Sequence, residues 1–236
     1  MKHLINILYI IILTLFPLVA IAQEADPVTE KLKRQEKERQ EAAKDPKAMA
    51  LLDKATAAFD SKKGILADFV ITLENIRNDK KESIPGKIWL KGEKFKLSIK
   101  DVDTYFDGKT QSVYMKDAQE ATISTPDAEE LKEINPVMLL KSYKKGYKMS
   151  FAESVQEAGK HIDVIDLYPE DLKSANSRIS VSIEKESMRL HSVRVQGKDG
   201  INTLLVIKKY DYTPLSDEIF IFKPEEIKGI EVIDLR

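Results

Sequence analysis

His161 and His191 are the only histidines outside the N-terminal segment. They are the first residues to test for acid–base or metal chemistry. Each stands alone in a strand-like stretch, at no spacing that builds a metal site or a nucleophile elbow. Asp166, Glu170 and Asp171 flank Pro169 and read as a wet turn rather than a catalytic pair. The chain has no cysteine, so thiolate chemistry and disulfides are both excluded. No motif assigns catalytic residues, a metal or a cofactor, and the expectation is a protein that is not an enzyme. Lysine and arginine number 38 against 39 aspartates and glutamates, with the signs interleaved. A nucleic-acid binder would carry a basic surplus, so that class is set aside.

The chemistry left is sequestration, carried by apolar side chains at every second position. Ala67, Phe69, Ile71 and Leu73 alternate with Asp68, Thr72 and Glu74. Ile84, Gly86, Ile88 and Leu90 do the same, and so do Phe95, Leu97 and Ile99 between lysines and a serine. Period two with one wet face predicts half-buried antiparallel strands. Whether Trp89 or its neighbours Ile88 and Leu90 face inward stays open at this stage. Short turn signals at Asn78-Asp79, Gly92 and Asp107-Gly108 separate the strands.

Further strands are expected near 103–106, 111–115, 120–124, 147–156, 161–168, 178–185, 189–197 and 201–211, about eleven in all. One helix precedes them. Asp45 is its cap and Pro46 its first residue, with Met49, Leu52 and Phe59 on a stripe and Gly64 placed to end it. Two short helices are expected midway, from Pro126 to Ile134 and from Asn135-Pro136 to Gly146. So few helices cannot make a second layer over so large a sheet. The sheet must curl, with the small helices as a lid over a hollow. A hollow lined with apolar side chains is a ligand site by default.

The N-terminus gives an address. Lys2 and His3 precede an apolar run from Leu4 to Val19, and Ala20-Ile21-Ala22 supplies small residues for cleavage. Residues 1–22 are therefore expected to be a secretory signal cut after Ala22. Residues 23–44 are expected to form a flexible arm, whose stretch 30–39 is almost wholly charged or amide. The roughly 190 residues from 45 to 236 suit one domain. With no lipid-attachment cysteine after the signal, the exported chain is expected to move freely.

Several phrases then resemble a known family. They are Trp89-Leu90-Lys91 with Phe95, Phe106-Asp107-Gly108-Lys109-Thr110, Tyr114, and Glu120-Ala121-Thr122. Asn135-Pro136-Val137-Met138-Leu139-Leu140 follows, then Phe220-Ile221-Phe222-Lys223-Pro224 and Gly229-Ile230-Glu231-Val232-Ile233-Asp234. In this order the series resembles the outer-membrane lipoprotein carrier family, LolA-like, from about Ala48 to Arg236. The resemblance implies a mainly β fold with some α, a single unclosed antiparallel half-barrel with short helices as a lid.

It also implies a periplasmic, monomeric carrier of acylated lipoproteins. Such a carrier is loaded by an inner-membrane release complex and can pass its cargo to an outer-membrane receptor. Alternation and resemblance together nominate Phe69, Ile71, Leu73, Ile88, Leu90, Phe95 and Leu97 as cavity lining. Val113, Met115, Val137, Met138 and Leu140 complete the set. At one place the sequence departs from the family: where members commonly carry a lid-closing arginine, this chain has Gly92. Arg77 matches no family position. The alternative is a lipid-binding or envelope-sensing module of the same fold with another ligand.

Overall fold

The structure, a computed structural model, describes residues 45–59, 64–127 and 143–236, together with Arg34. The signal segment, the rest of the charged arm and most of the midway helical region lie outside the described residues.

Helix α1 spans Pro46–Phe59. Asp45 caps it: its Oδ1 accepts from the N–H of Lys47 at 2.8 Å and of Ala48 at 3.4 Å. Ala48, Leu52 and Ala55, spaced four and three apart, are buried on one side. The side chain of Phe59 lies outside the described set. Helix α1 is described as far as Phe59, and residues 60–63, which separate it from Gly64, lie outside the described residues. Gly64 stands at the entrance to the first strand with φ +114, and the Leu215 side chain occupies the space a Cβ would need.

Twelve strands follow. They are β1 (Ile65–Asn75), β2 (Lys80–Lys91), β3 (Lys94–Ile99), β4 (Val102–Phe106), β5 (Gln111–Met115) and β6 (Glu120–Ser124). Then come β7 (Tyr147–Glu157), β8 (Lys160–Pro169), β9 (Asn176–Glu184), β10 (Leu190–Gly197), β11 (Ile201–Asp211) and β12 (Glu231–Asp234). All belong to one sheet, in the order β12-β6-β5-β4-β3-β2-β1-β11-β10-β9-β8-β7. The two end strands do not pair with each other, so the sheet is unclosed. Every neighbouring pair is antiparallel except β12 with β6.

The eleven expected strands are all present. The twelfth gave no signal, because its four residues are all exposed and show no alternation. Among the described residues, no helix is long and apolar enough to cross a membrane.

Residues directly opposite in an antiparallel pair share a face. One row reads Ala67, Ile88, Leu97, Thr104, Val113 across β1 to β5. Another reads Phe151, Ile165, Val181, Val193, Leu205, Ile71 from β7 through β11 to β1. Both rows lie on one side, here termed the front, which is largely apolar from β7 to β5 and turns polar at Glu120 and Thr122 on β6. The back carries Asp68, Thr72, Lys87, Lys96, Asp103 and Asp166.

Two pieces outside the strands brace this sheet. Helix α1 packs on the front at one end, where Ala48, Leu52 and Ala55 join Met149, Ile165, Ile179, Val181 and Ile183. The segment after β11 crosses the back at the other end. Its Phe222 ring lies 5.3 Å from Tyr105 and 5.5 Å from Tyr114. Its Asp217 bridges Lys91 and Lys94 at 2.7 and 2.8 Å. It ends in β12, on the free edge of β6.

Candidate functional site

The front of β1 to β5 is where the nominated residues meet. Phe69, Ile71, Ile88, Leu90 and Phe95 are buried in one cluster with Ile65, Ala67 and Phe106. Leu73 and Leu97 pack against it half-buried. Phe95 and Phe106 stand opposite each other on β3 and β4, with rings 5.6 Å apart. Val113 and Met115 are half-buried and share the face by register, Val113 opposite Thr104 and Met115 opposite Val102. They lie beyond the buried cluster. Val137, Met138 and Leu140 fall outside the described residues, as do both expected midway helices apart from their flanks.

Gly86 explains how the centre of the face is built. It stands opposite Phe69 on β1 and Ile99 on β3. A Cβ there would come within 2.6 Å of Phe69 Cε2 and 3.1 Å of the Ser98 carbonyl oxygen. The absent side chain lets the Phe69 ring lie down over the strand. The sequence placed Gly86 on an apolar face without showing what filled its gap.

Several members were not nominated. Ile65, Ile99 and Phe106 continue the rows, and β11 adds Leu205, Ile207 and Tyr210. The run Leu204-Leu205-Val206-Ile207 is apolar throughout, so alternation could not assign its faces. Register does: Leu205 pairs with Ile71 on the front, while Val206 pairs with Val70 on the back.

The Trp89 question is answered the same way. Ile88 and Leu90 are buried on the front, and Trp89 faces back with the Lys96 ammonium 5.3 Å from its ring. Behind β3 to β5 the polar groups are paired. Asp103 is buried and accepts from Ser98 Oγ at 2.6 Å and Lys116 Nζ at 2.8 Å. Burial, reinforced by Asp103, pushes the Tyr105 phenol up to about 12.

Gly92 turns the β2–β3 hairpin with φ +60, and nothing lies within 4 Å of where its Cβ would be. The position where the resemblance led to the expectation of an arginine is here a tight-turn position that favours glycine. At the end of the midway region, Tyr143 is buried against α1, and its hydroxyl donates to Asp53 Oδ1 at 2.5 Å. Burial pushes that phenol up to about 12 as well.

Each histidine lies beside glutamate, His161 on the surface and His191 half-buried. His161 Nδ1 lies 2.7 Å from Glu186, and His191 lies 3.5 Å from Glu157. Asp166 accepts from Ser180 Oγ at 2.5 Å and from Arg178 at 3.2 Å, a buried structural pair rather than a wet turn. Among the described residues, no group of three or more His, Cys, Asp or Glu could hold a metal ion.

An unclosed sheet with a largely apolar front and a helix over one end defines a fold that solved structures share. An uncharacterized conserved protein from Thermus thermophilus aligns with a TM-score of 0.57 at 12% identity, over 80% of this chain and 99% of that one. At that identity the likeness shows the fold alone. The LolA superfamily protein NE2245 from Nitrosomonas europaea aligns with a TM-score of 0.41 at 11% identity, over 74% and 97% of the two chains. LprF from Mycobacterium bovis aligns with a TM-score of 0.46 at 10% identity, over 77% and 99%. No curated protein matches this chain. A family model described as outer membrane lipoprotein carrier protein LolA matches residues 39–195, and the chain belongs to that family.

Proposed function

We propose that the chain is a periplasmic carrier that holds the acyl chains of lipoproteins on the front of β1 to β5 and ferries them from inner to outer membrane. One observation supports this above the rest. The front is largely apolar from β7 to β5, yet among the described residues the helix that packs on it sits over the β7 end. The other half presents Leu73, Leu97, Ile99, Leu205 and Ile207 half-buried. In a member of the lipoprotein carrier family, that half is the natural seat for cargo.

The energetics suit a shuttle. Each methylene moved from water onto this surface contributes about 0.8 kcal/mol. Fatty chains bind by area rather than by directional bonds, so cargo can leave without breaking a fixed polar network. Bulky and flexible side chains such as Phe69, Phe95 and Met115 adapt to cargo of no fixed shape. The nominated residues, Val137, Met138 and Leu140 included, belong to this proposed lining. Residues 1–22 are the export signal, 23–44 a spacer and 45–236 the carrier domain. The cargo is acylated lipoprotein, received from an inner-membrane release complex and passed to an outer-membrane acceptor.

The test is to recover the protein from a periplasmic extract and identify what it carries by mass spectrometry. Acylated peptides are the expected result. Free phospholipid or an empty protein would overturn the carrier reading, phospholipid in favour of a lipid-binding module of the same fold.

A further inference from the structure

The two free edges of the sheet are built differently. At β7 the edge is closed. The Asp45 N–H donates to the Met149 carbonyl at 3.1 Å, and the Asp45 carboxylate accepts from the Phe151 N–H at 2.9 Å. A register shift between Phe151 and Glu153 adds a bulge. Caps and bulges of this kind keep an edge from pairing with another chain.

β12 has neither. The N–H groups of Glu231 and Leu235 donate inward, to the carbonyls of Gln119 and Ile123, each at 2.8 Å. Strand alternation then aims the N–H groups of Val232 and Asp234 away from the sheet. In the sheet order β12 has β6 on one side and no strand on the other. β12 contains no proline, lysine or bulge. Val232 and Ile233 point to opposite faces and are 40% and 38% exposed, with Leu235 beside them at 66%.

A second observation concerns charge. Glu231 pairs in register with Glu120, placing like charges on adjacent strands. Such a pairing destabilises a sheet. Among the described residues no cation reaches either carboxylate, and the nearby Lys116 is engaged by Asp103. The stretch 212–236 is acidic throughout, with Asp217, Glu218, Glu225, Glu226, Glu231 and Asp234 against Lys223, Lys228 and Arg236. That balance disfavours an anionic membrane surface, which attracts basic segments.

We propose that the outer edge of β12 is a docking strand for an extended, lysine- or arginine-bearing segment of a partner protein. The segment adds to the sheet through the backbone of Val232 and Asp234, packs apolar residues on Val232 and Ile233, and sets a cation beside Glu231 within reach of Glu120. By register Glu231 and Ile233 share the front with Met115 and Val113, two strands away across β6, but the backbone edge that docks does not depend on what that face carries.

The full chain is titrated with a capped synthetic peptide of alternating lysine and valine, by calorimetry and amide exchange. The expected result is saturable binding that weakens with salt and protects the Val232 and Asp234 amides. Val232→Pro removes an outward N–H and leaves the inward bonds to β6, so it should weaken binding at least about tenfold without loosening β12. Should exchange show that Val232→Pro also frees the Glu231 and Leu235 amides, the pair Glu120→Gln with Glu231→Gln decides. That variant should melt higher, because the like-charge pair is gone, yet bind the peptide several-fold more weakly. Absent binding, or equal binding by every variant, overturns the proposal. So does sedimentation with phosphatidylglycerol vesicles in place of peptide binding, which would make the edge a membrane surface.

Discussion

The two halves of the sheet are stabilised from opposite sides. From β7 to β10 the front is filled by α1, whose Ala48, Leu52 and Ala55 are buried among strand side chains. From β1 to β6 the bracing comes from behind, through Phe222 between two tyrosines, Asp217 between two lysines, and β12 on the edge. A sheet braced from behind can leave its front to a ligand and still hold its curvature. A sheet braced from the front cannot. On the proposed function, the difference separates a folding core from the seat proposed for cargo within one face.

The largest test of this contrast replaces one leucine in each half. Leu52 is 1% exposed in α1, and Leu52→Ala should cost about 2–5 kcal/mol, the range for a leucine removed from a core. Leu97 is half-buried on the ligand half. Leu97→Glu should leave a folded, exported protein that no longer transfers lipoprotein, because a charge on the apolar seat is costly to cover. Thermal melts with a transfer assay separate the two effects. If Leu97→Glu unfolds the chain while Leu52→Ala barely lowers its melting temperature, the roles of the halves are reversed. Transfer at the normal rate by Leu97→Glu would instead remove Leu97 from the seat.

Gly86→Val probes the same half from inside. Its side chain would collide with the Phe69 ring. Overpacking of this kind typically costs about 1–3 kcal/mol. The displaced ring should intrude on the seat, so lipid loading should fall further than the melting temperature suggests. Unchanged loading would place the cargo away from Phe69. Phe222→Ala acts from behind. It should cost about 2 kcal/mol, less than the ~3–5 of a fully buried phenylalanine, because the ring is half-buried. It should also speed amide exchange in β4 and β5 while leaving β8 and β9 unchanged. Uniform loosening across all four strands would show that the halves are not braced independently.

Much of this was legible in the sequence. The alternation from Ala67 to Ile99 predicted the first three of eleven strands, each with one apolar and one wet face, because burial on one side writes period two into the residues. The segment after β11, a strap across the back of the sheet, was not legible as a brace. Its resemblance to a family phrase was visible, but Phe222, Asp217 and β12 act through partners more than a hundred residues away, which no local pattern encodes. β12 itself is too short and too exposed for a period to show. Register across β11 decided Leu205 from Val206, a distinction a continuous apolar run cannot carry. The division of labour between α1 and the strap is likewise a property of topology, set by where each segment lands on the sheet.

The smallest effect concerns the ionic part of the strap. Hydrogen bonds from Lys91 and Lys94 hold the Asp217 carboxyl down at about 2, below its ordinary 3.8. A carboxyl lowered on folding stabilises the native state above its unfolded value, and that contribution fades as pH falls through the folded one. Asp217→Asn should therefore lower the melting temperature slightly at pH 7. The gap to the parent protein should narrow as pH drops below 3.8 and be nearly gone by about pH 2. Asp217 is more than half exposed, so salt should shrink the gap as well. A gap that stays constant across that window would mean that Asp217 fastens the strap by shape rather than by charge. In that case the back brace would rest on Phe222 and its two tyrosines, with the lysines mere neighbours.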